Sequence, residues 1–83
     1  MQVKVRYFAS VREALGTGSE TFDTAARDLR ALRDELISRG DPHASALARG
    51  KAVRMALDQV MSAEDAALRE GSEVAFFPPV TGG

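Results

Sequence analysis

Hydrophobic and polar positions alternate from the start of the chain. Over residues 2–9, Val3, Val5 and Tyr7 fall on one face and Lys4, Arg6 and Phe8 on the other. A period of two built from β-branched and aromatic residues predicts a strand. Gly16-Thr17-Gly18 predicts a turn, and residues 19–23 a short second strand anchored by Phe22. Asp23-Thr24 carries a helix N-cap signal. The period then lengthens to that of a helix, with Leu29, Leu32, Leu36 and Ile37 on one stripe. Arg27, Arg30, Arg33 and Arg39 read as a solvated face partly offset by Asp28, Asp34 and Glu35. Gly40 suits the C-terminal position of that helix, Pro42 prevents its continuation, and residues 44–49 read as a further helical turn.

Alternation returns over residues 51–57, with Val53, Met55 and Leu57 against Ala52, Arg54 and Ala56. Asp58-Gln59 predicts a tight turn into a short strand at Val60-Met61. Residues 62–70 form a polar connection from which Leu68 dips into the core. Gly71-Ser72 turns the chain into a last strand, Glu73-Val74-Ala75-Phe76-Phe77, which Pro78-Pro79 ends because proline cannot donate to a sheet ladder. The expected order is β-β-α-β-β-β. It predicts an α+β domain over residues 1–77, a sheet of about five strands packed on one main helix, followed by an extended, flexible tail over 78–83.

Composition narrows the chemistry. The chain has 83 residues, enough for one small domain, and an apolar fraction of 45%, enough for a packed core. Eleven basic and twelve acidic residues give a net charge of −1, which supplies no electrostatic reason to expect nucleic acid or an anionic membrane as partner. No apolar run approaches a membrane span, and Met1-Gln2-Val3-Lys4-Val5 enters a strand pattern at once, so a soluble cytoplasmic chain without a signal peptide is expected. The absence of cysteine excludes disulfides, thiolate metal sites and a cysteine nucleophile. The single histidine, His43, sits in a loop-like Gly40-Asp41-Pro42-His43 stretch without a serine motif and reads as solvated. Gly16-Thr17-Gly18 lacks the rest of either a dinucleotide loop or a P-loop. Arg12-Glu13 either fixes the first turn or touches a partner.

What remains is the tail. Pro78 and Pro79 favour extended backbone and make a stiff exit from the last strand. The β-branched Val80 and Thr81 continue that preference, and Gly82 and Gly83 carry no side chains. From Pro78 to Gly83 such a segment reaches at most about 20 Å. It can enter a narrow channel and present a carboxylate there, with a carbonyl left open by the terminal glycine. A lone Gly-Gly is more simply a frayed end. That simpler reading leaves the Phe-Phe-Pro-Pro exit unexplained.

Val74-Ala75-Phe76-Phe77-Pro78-Pro79-Val80-Thr81-Gly82-Gly83, together with Tyr7-Phe8-Ala9-Ser10-Val11-Arg12-Glu13 and Gly16, resembles the ThiS/MoaD family of ubiquitin-like sulfur carriers along its whole length. Asp58-Gln59 departs from the asparagine-glutamine frequent there, and the connection over residues 62–67 is uninformative. The resemblance implies a β-grasp fold in which the first and last strands pair in parallel at the sheet centre. It also implies a mechanism. An E1-like adenylating enzyme joins the Gly83 carboxylate to AMP using ATP. Sulfur derived from a persulfide on a sulfur donor protein displaces AMP and leaves a thiocarboxylate. The tail then enters the large subunit of molybdopterin synthase, expected as a heterotetramer, where two transfers to cyclic pyranopterin monophosphate build a dithiolene. On this reading Gly83 is the reacting residue, while Gly82, Thr81, Val80, Pro79 and Pro78 deliver it. No cofactor or metal is held permanently, and acids and bases come from the partners.

With those strands adjacent, Phe8 and Phe77 both point away from the helix and their rings meet at the root of the tail. Met61 or Val60 extends the patch into an interface hot spot. Two other roles stay open on the sequence: a carrier for thiazole synthesis, and a protein modifier linked through Gly83 to lysines.

Overall fold

The computed structural model describes residues 1–79. In chain order the elements are β1 (Gln2–Tyr7), α1 (Ala9–Leu15), β2 (Ser19–Asp23), α2 (Leu29–Ser38), α3 (His43–Ala46), β3 (Arg54–Leu57), β4 (Val60–Met61) and β5 (Glu73–Phe77). The strands form one mixed sheet in the order β2-β1-β5-β3-β4. β1 and β5 run parallel at its centre with Tyr7 beside Phe76, and the other pairs are antiparallel. This is the expected β-grasp arrangement.

The alternation read in β1 and β5 sends Val3, Val5, Tyr7, Val74 and Phe76 to one face, where all are buried. Leu29, Leu32 and Leu36 of α2 pack onto them with no exposed surface, joined by Leu47 and Leu68. Each such side chain contributes roughly 2 kcal/mol on burial. Asp58 and Gln59 both have positive φ, 50° and 69°, as a two-residue hairpin turn between β3 and β4 requires.

The structure departs from expectation in several places. β1 stops at Tyr7 because Ala9 takes φ 50°, a left-handed conformation that swings the chain out of the strand and into α1. That helix, absent from the sequence expectation, buries Val11 and ends at Gly16, whose φ of 76° lets its N–H close back on the Arg12 carbonyl at 2.9 Å. α2 begins later than Asp23-Thr24 suggested. Asp28 is its N-cap, accepting from the Ala31 N–H at 2.8 Å, while the Thr24 hydroxyl accepts from the Ala26 N–H and donates to Glu35. The further helical turn lies at His43–Ala46, and β3 is shorter than residues 51–57.

Arg33 is not solvated. Only 5% of it is exposed, and its guanidinium donates to the carbonyls of Leu47 at 2.8 Å and Ala48 at 2.9 Å. Arg49 reaches back to Asp34 and Glu64, so α2 is stapled to the segment leading into β3.

His43 is not a solvated loop residue either. Glu20 lies on the inward side of β2, two pairings along from Phe22, and gathers three donors. The Tyr7 hydroxyl and His43 Nε2 each stand 2.8 Å from its Oε2, and Arg39 Nη1 stands 2.8 Å from its Oε1. An ionised carboxylate only accepts, so His43 Nε2 carries its proton. Burial alone would raise the Glu20 carboxyl, but the hydrogen bonds from Arg39, His43 and Tyr7 outweigh it and bring it down to about 2. Burial, then the hydrogen bond and charge of Glu20, push the Tyr7 phenol up.

A folded carboxyl below its ordinary 4.5 adds stability that is complete above that value and is lost as pH falls towards 2. Glu20→Gln is expected to cost about 1–2 kcal/mol at neutral pH and to flatten that acid limb. Urea unfolding across the acid range would test this. Parallel stability–pH curves for parent and variant would contradict it.

Candidate functional site

The parity that buries Val74 and Phe76 turns Glu73, Ala75 and Phe77 to the opposite face of β5. Lys4 and Arg6 of β1 share that face. The parallel ladder continues one step past β1, because the Phe8 N–H donates to the Phe76 carbonyl at 3.1 Å, and this sets Phe8 beside Phe77. On the other flank Arg54 pairs with Phe77. Ala56 pairs with both Ala75 and Met61, carrying the same face out to β4. Phe8, Phe77 and Met61 therefore lie on one sheet face, and none belongs to the core cluster packed against the helices.

Phe8 is 40% exposed and Met61 59%, whereas Phe77 is half-buried between its neighbouring strands. Val60 pairs with Leu57, so it belongs to the other face, at the open end of the edge strand. The Phe8 ring lies under the Arg6 guanidinium, 5.3 Å from ring centre to Cζ. Among the described residues no ring pair joins Phe8 to Phe77. The aromatic pairs are on the core side, where Tyr7 stacks on Phe76 at 6.2 Å and meets His43 edge-on at 6.3 Å.

Strand β5 ends at Phe77, and Pro78 and Pro79 follow it half-buried. The tail thus leaves the sheet at the corner where Phe8, Phe77 and Arg54 meet. Val80, Thr81, Gly82 and Gly83 lie outside the described residues. Among the described residues no cluster of His, Asp and Glu could hold a metal ion, and no helix is long and apolar enough to cross a membrane.

The sequence reading missed the convergence on Glu20, although a signal was present. Phe22 marks the inward parity of β2, and Glu20 shares it. For Arg12 the sequence leaves two roles open, fixing the first turn or touching a partner. The structure puts that side chain over Gly18 at the mouth of a cleft that reaches Phe8.

The sequence model described as the ThiS family matches residues 5–83. The chain is 42% identical to the molybdopterin synthase sulfur carrier subunit of Escherichia coli over 81 residues, 98% of this chain and 99% of that one. In structure it is similar to a Pyrococcus furiosus protein described as a candidate molybdopterin converting factor, subunit 1. Their TM-score is 0.79 and identity 30%, covering 96% of this chain and 99% of that one. It is also similar to a chain in the complex of subunits 1 and 2 of the molybdopterin-converting factor from Helicobacter pylori. There the TM-score is 0.67 and identity 25%, with full coverage of both chains.

Proposed function

Because the chain belongs to the ThiS family, we propose that it is the sulfur-carrier subunit of a molybdopterin synthase and carries sulfur as a thiocarboxylate on Gly83. The observation that carries this reading is the 42% identity to the E. coli carrier subunit over almost the whole of both chains. The Phe77-Pro78-Pro79 exit from the central strand β5 supports it, since it gives the following residues a rigid root.

The chemistry divides between this chain and its partners. A carboxylate is a poor electrophile. An E1-like enzyme activates Gly83 by joining it to AMP from ATP, with pyrophosphate leaving. The terminal sulfur of a donor-protein persulfide then displaces AMP to give an acyl disulfide, and a second thiol attacks the donor's sulfur, forming a disulfide with it and releasing the thiocarboxylate. The large synthase subunit receives the loaded tail and supplies the acids and bases, and the thiocarboxylate sulfur attacks the pterin precursor. The H. pylori subunit 1–subunit 2 complex supports a large-subunit partner of this kind. The carrier works in the cytoplasm, and two copies of each subunit make the synthase.

In this reading the sheet face bearing Phe8, Phe77 and Met61 docks the chain, and Pro78, Pro79, Val80, Thr81 and Gly82 deliver Gly83. Phe77→Ala is expected to weaken binding to the large subunit by about tenfold or more, as loss of a central aromatic anchor does. Calorimetric titration of a folded variant would measure it, and unchanged affinity would remove Phe77 from the interface. The reading as a whole is tested by intact mass. Incubation with the adenylating enzyme, ATP and a sulfur donor should add the difference between one sulfur and one oxygen, located to Gly83 by fragmentation. A chain that stays unmodified under conditions that load the E. coli carrier would refute it.

A further inference from the structure

A cleft of about 330 Å³ opens beside Phe8, lined by Lys4, Arg6, Phe8, Arg12, Gly18 and Ser19 among others. Three of these residues are cations, and no carboxylate lines it. Arg6 is partly engaged, 3.7 Å from Glu73. None of the salt bridges among the described residues uses Lys4 or Arg12. Of the other acids, Asp58 accepts from the Glu73 N–H and Asp23 faces the N-terminal ammonium, both at the far end of the sheet from Phe8, and Glu13 lines the neighbouring hollow. A chain of net charge −1 thus gathers positive charge at the edge of its docking face.

The absence of a side chain on Gly18 leaves room for Arg12 there. A Cβ on Gly18 would stand 3.3 Å from Arg12 Nε and 3.4 Å from Cζ. Gly18 cannot easily retreat, because its carbonyl accepts from the Tyr7 N–H at 2.9 Å. The φ of Gly18 is not left-handed, unlike that of Gly16, so glycine serves here for space rather than for backbone conformation.

We propose that Lys4, Arg6 and Arg12 form a carboxylate-binding site, and that its occupant is an acidic side chain of the large synthase subunit, which covers Phe8. This rests on the docking role proposed above and deepens it. Phe8 belongs both to the cleft wall and to the docking face, so a surface that buries the ring brings its own groups to the cleft mouth. A carboxylate carried by that surface is delivered at high effective concentration. The same cations steer the encounter and select a partner whose apolar socket for Phe8 has an acidic rim.

The test measures association and dissociation with the large subunit of molybdopterin synthase from about 0.05 to about 0.5 M salt, across which screening shortens severalfold. Arg12→Gln and Lys4→Gln should each slow association about fivefold at low salt and flatten its dependence on ionic strength. Arg12→Lys should keep that dependence. Phe8→Ala should speed dissociation and leave the salt dependence intact. Wild-type association rates and salt dependence in both Gln variants would overturn the site. So would tight binding of inorganic phosphate at Lys4 and Arg12 with partner association unaffected, which would make it a small-anion site. If the wild-type chain fails to bind the large subunit at any salt concentration, the docking role falls and this proposal with it.

Discussion

Removing Gly83 alone is expected to leave the domain folded and to abolish sulfur loading. The buried core is built from residues between Val3 and Phe76, and the last ladder pairing is at Phe77, so the domain's stability does not depend on the terminal residue. The shortened chain still ends in glycine and still carries a carboxylate. What changes is reach. One residue spans about 3.5 Å of extended chain, and a reacting group misplaced by even about 1 Å loses on the order of a hundredfold in rate. With β5 and the Pro78-Pro79 exit fixing the root, the tail cannot slide forward to compensate. Adenylation followed by pyrophosphate release, with intact mass as the second readout, should therefore fall at least about a hundredfold against an unchanged thermal melt. Loading of the shortened chain at the parent rate would show that the carboxylate position does not matter, and would count against the carrier mechanism.

Arg33→Ala is expected to be the most damaging substitution of a charged residue for stability, at about 3 kcal/mol. The side chain is buried, and its loss strips the Leu47 and Ala48 carbonyls of their donors while opening a void beside Leu47. Burial, then the neighbouring Arg49 guanidinium, lowers the Arg33 pKa, and Glu64 and Asp34 oppose that shift. For a domain of this size the loss corresponds to a fall of roughly 15–20 °C in melting temperature. Arg30, one turn face away, is the control. It is mostly exposed, stands 3.6 Å from Glu64, and Arg30→Ala should cost under about 1 kcal/mol. Urea unfolding of the pair would separate them. Equal effects would mean that the Arg33 hydrogen bonds contribute nothing net.

These two arginines show where reading a sequence stops. At about 100° per residue Arg33 falls between Leu29 and Ile37, inside the apolar stripe, and Arg30 beyond its edge; what the period does not supply is the partner that lets a guanidinium stay buried there. The partners of Arg33 are backbone carbonyls 14 and 15 residues away, and backbone groups leave no mark in side-chain pattern. α1 escaped for a related reason. The left-handed turn that starts it falls on Ala9, where nothing local announces φ 50°, so the alternation of β1 reads straight on. The Glu20 cluster needed the β1–β2 register and the α2–α3 corner together before three donors could meet one carboxylate.

By itself the sequence determined the inward faces of β1 and β5, the Leu29-Leu32-Leu36 stripe, the Asp58-Gln59 turn, the depth of Leu68 and the proline stop after Phe77. Each of these is a matter of period or of one residue's own dihedral limits. The tertiary structure alone decided that Met61 rather than Val60 shares the face of Phe8 and Phe77, that those two rings do not stack, and that Arg12 lies over Gly18 in a cleft with Lys4. Those relations join strands and turns far apart in the chain. They exist only once parallel pairing of β1 with β5 has set the register, because a shift of one residue would send every one of those side chains to the opposite face.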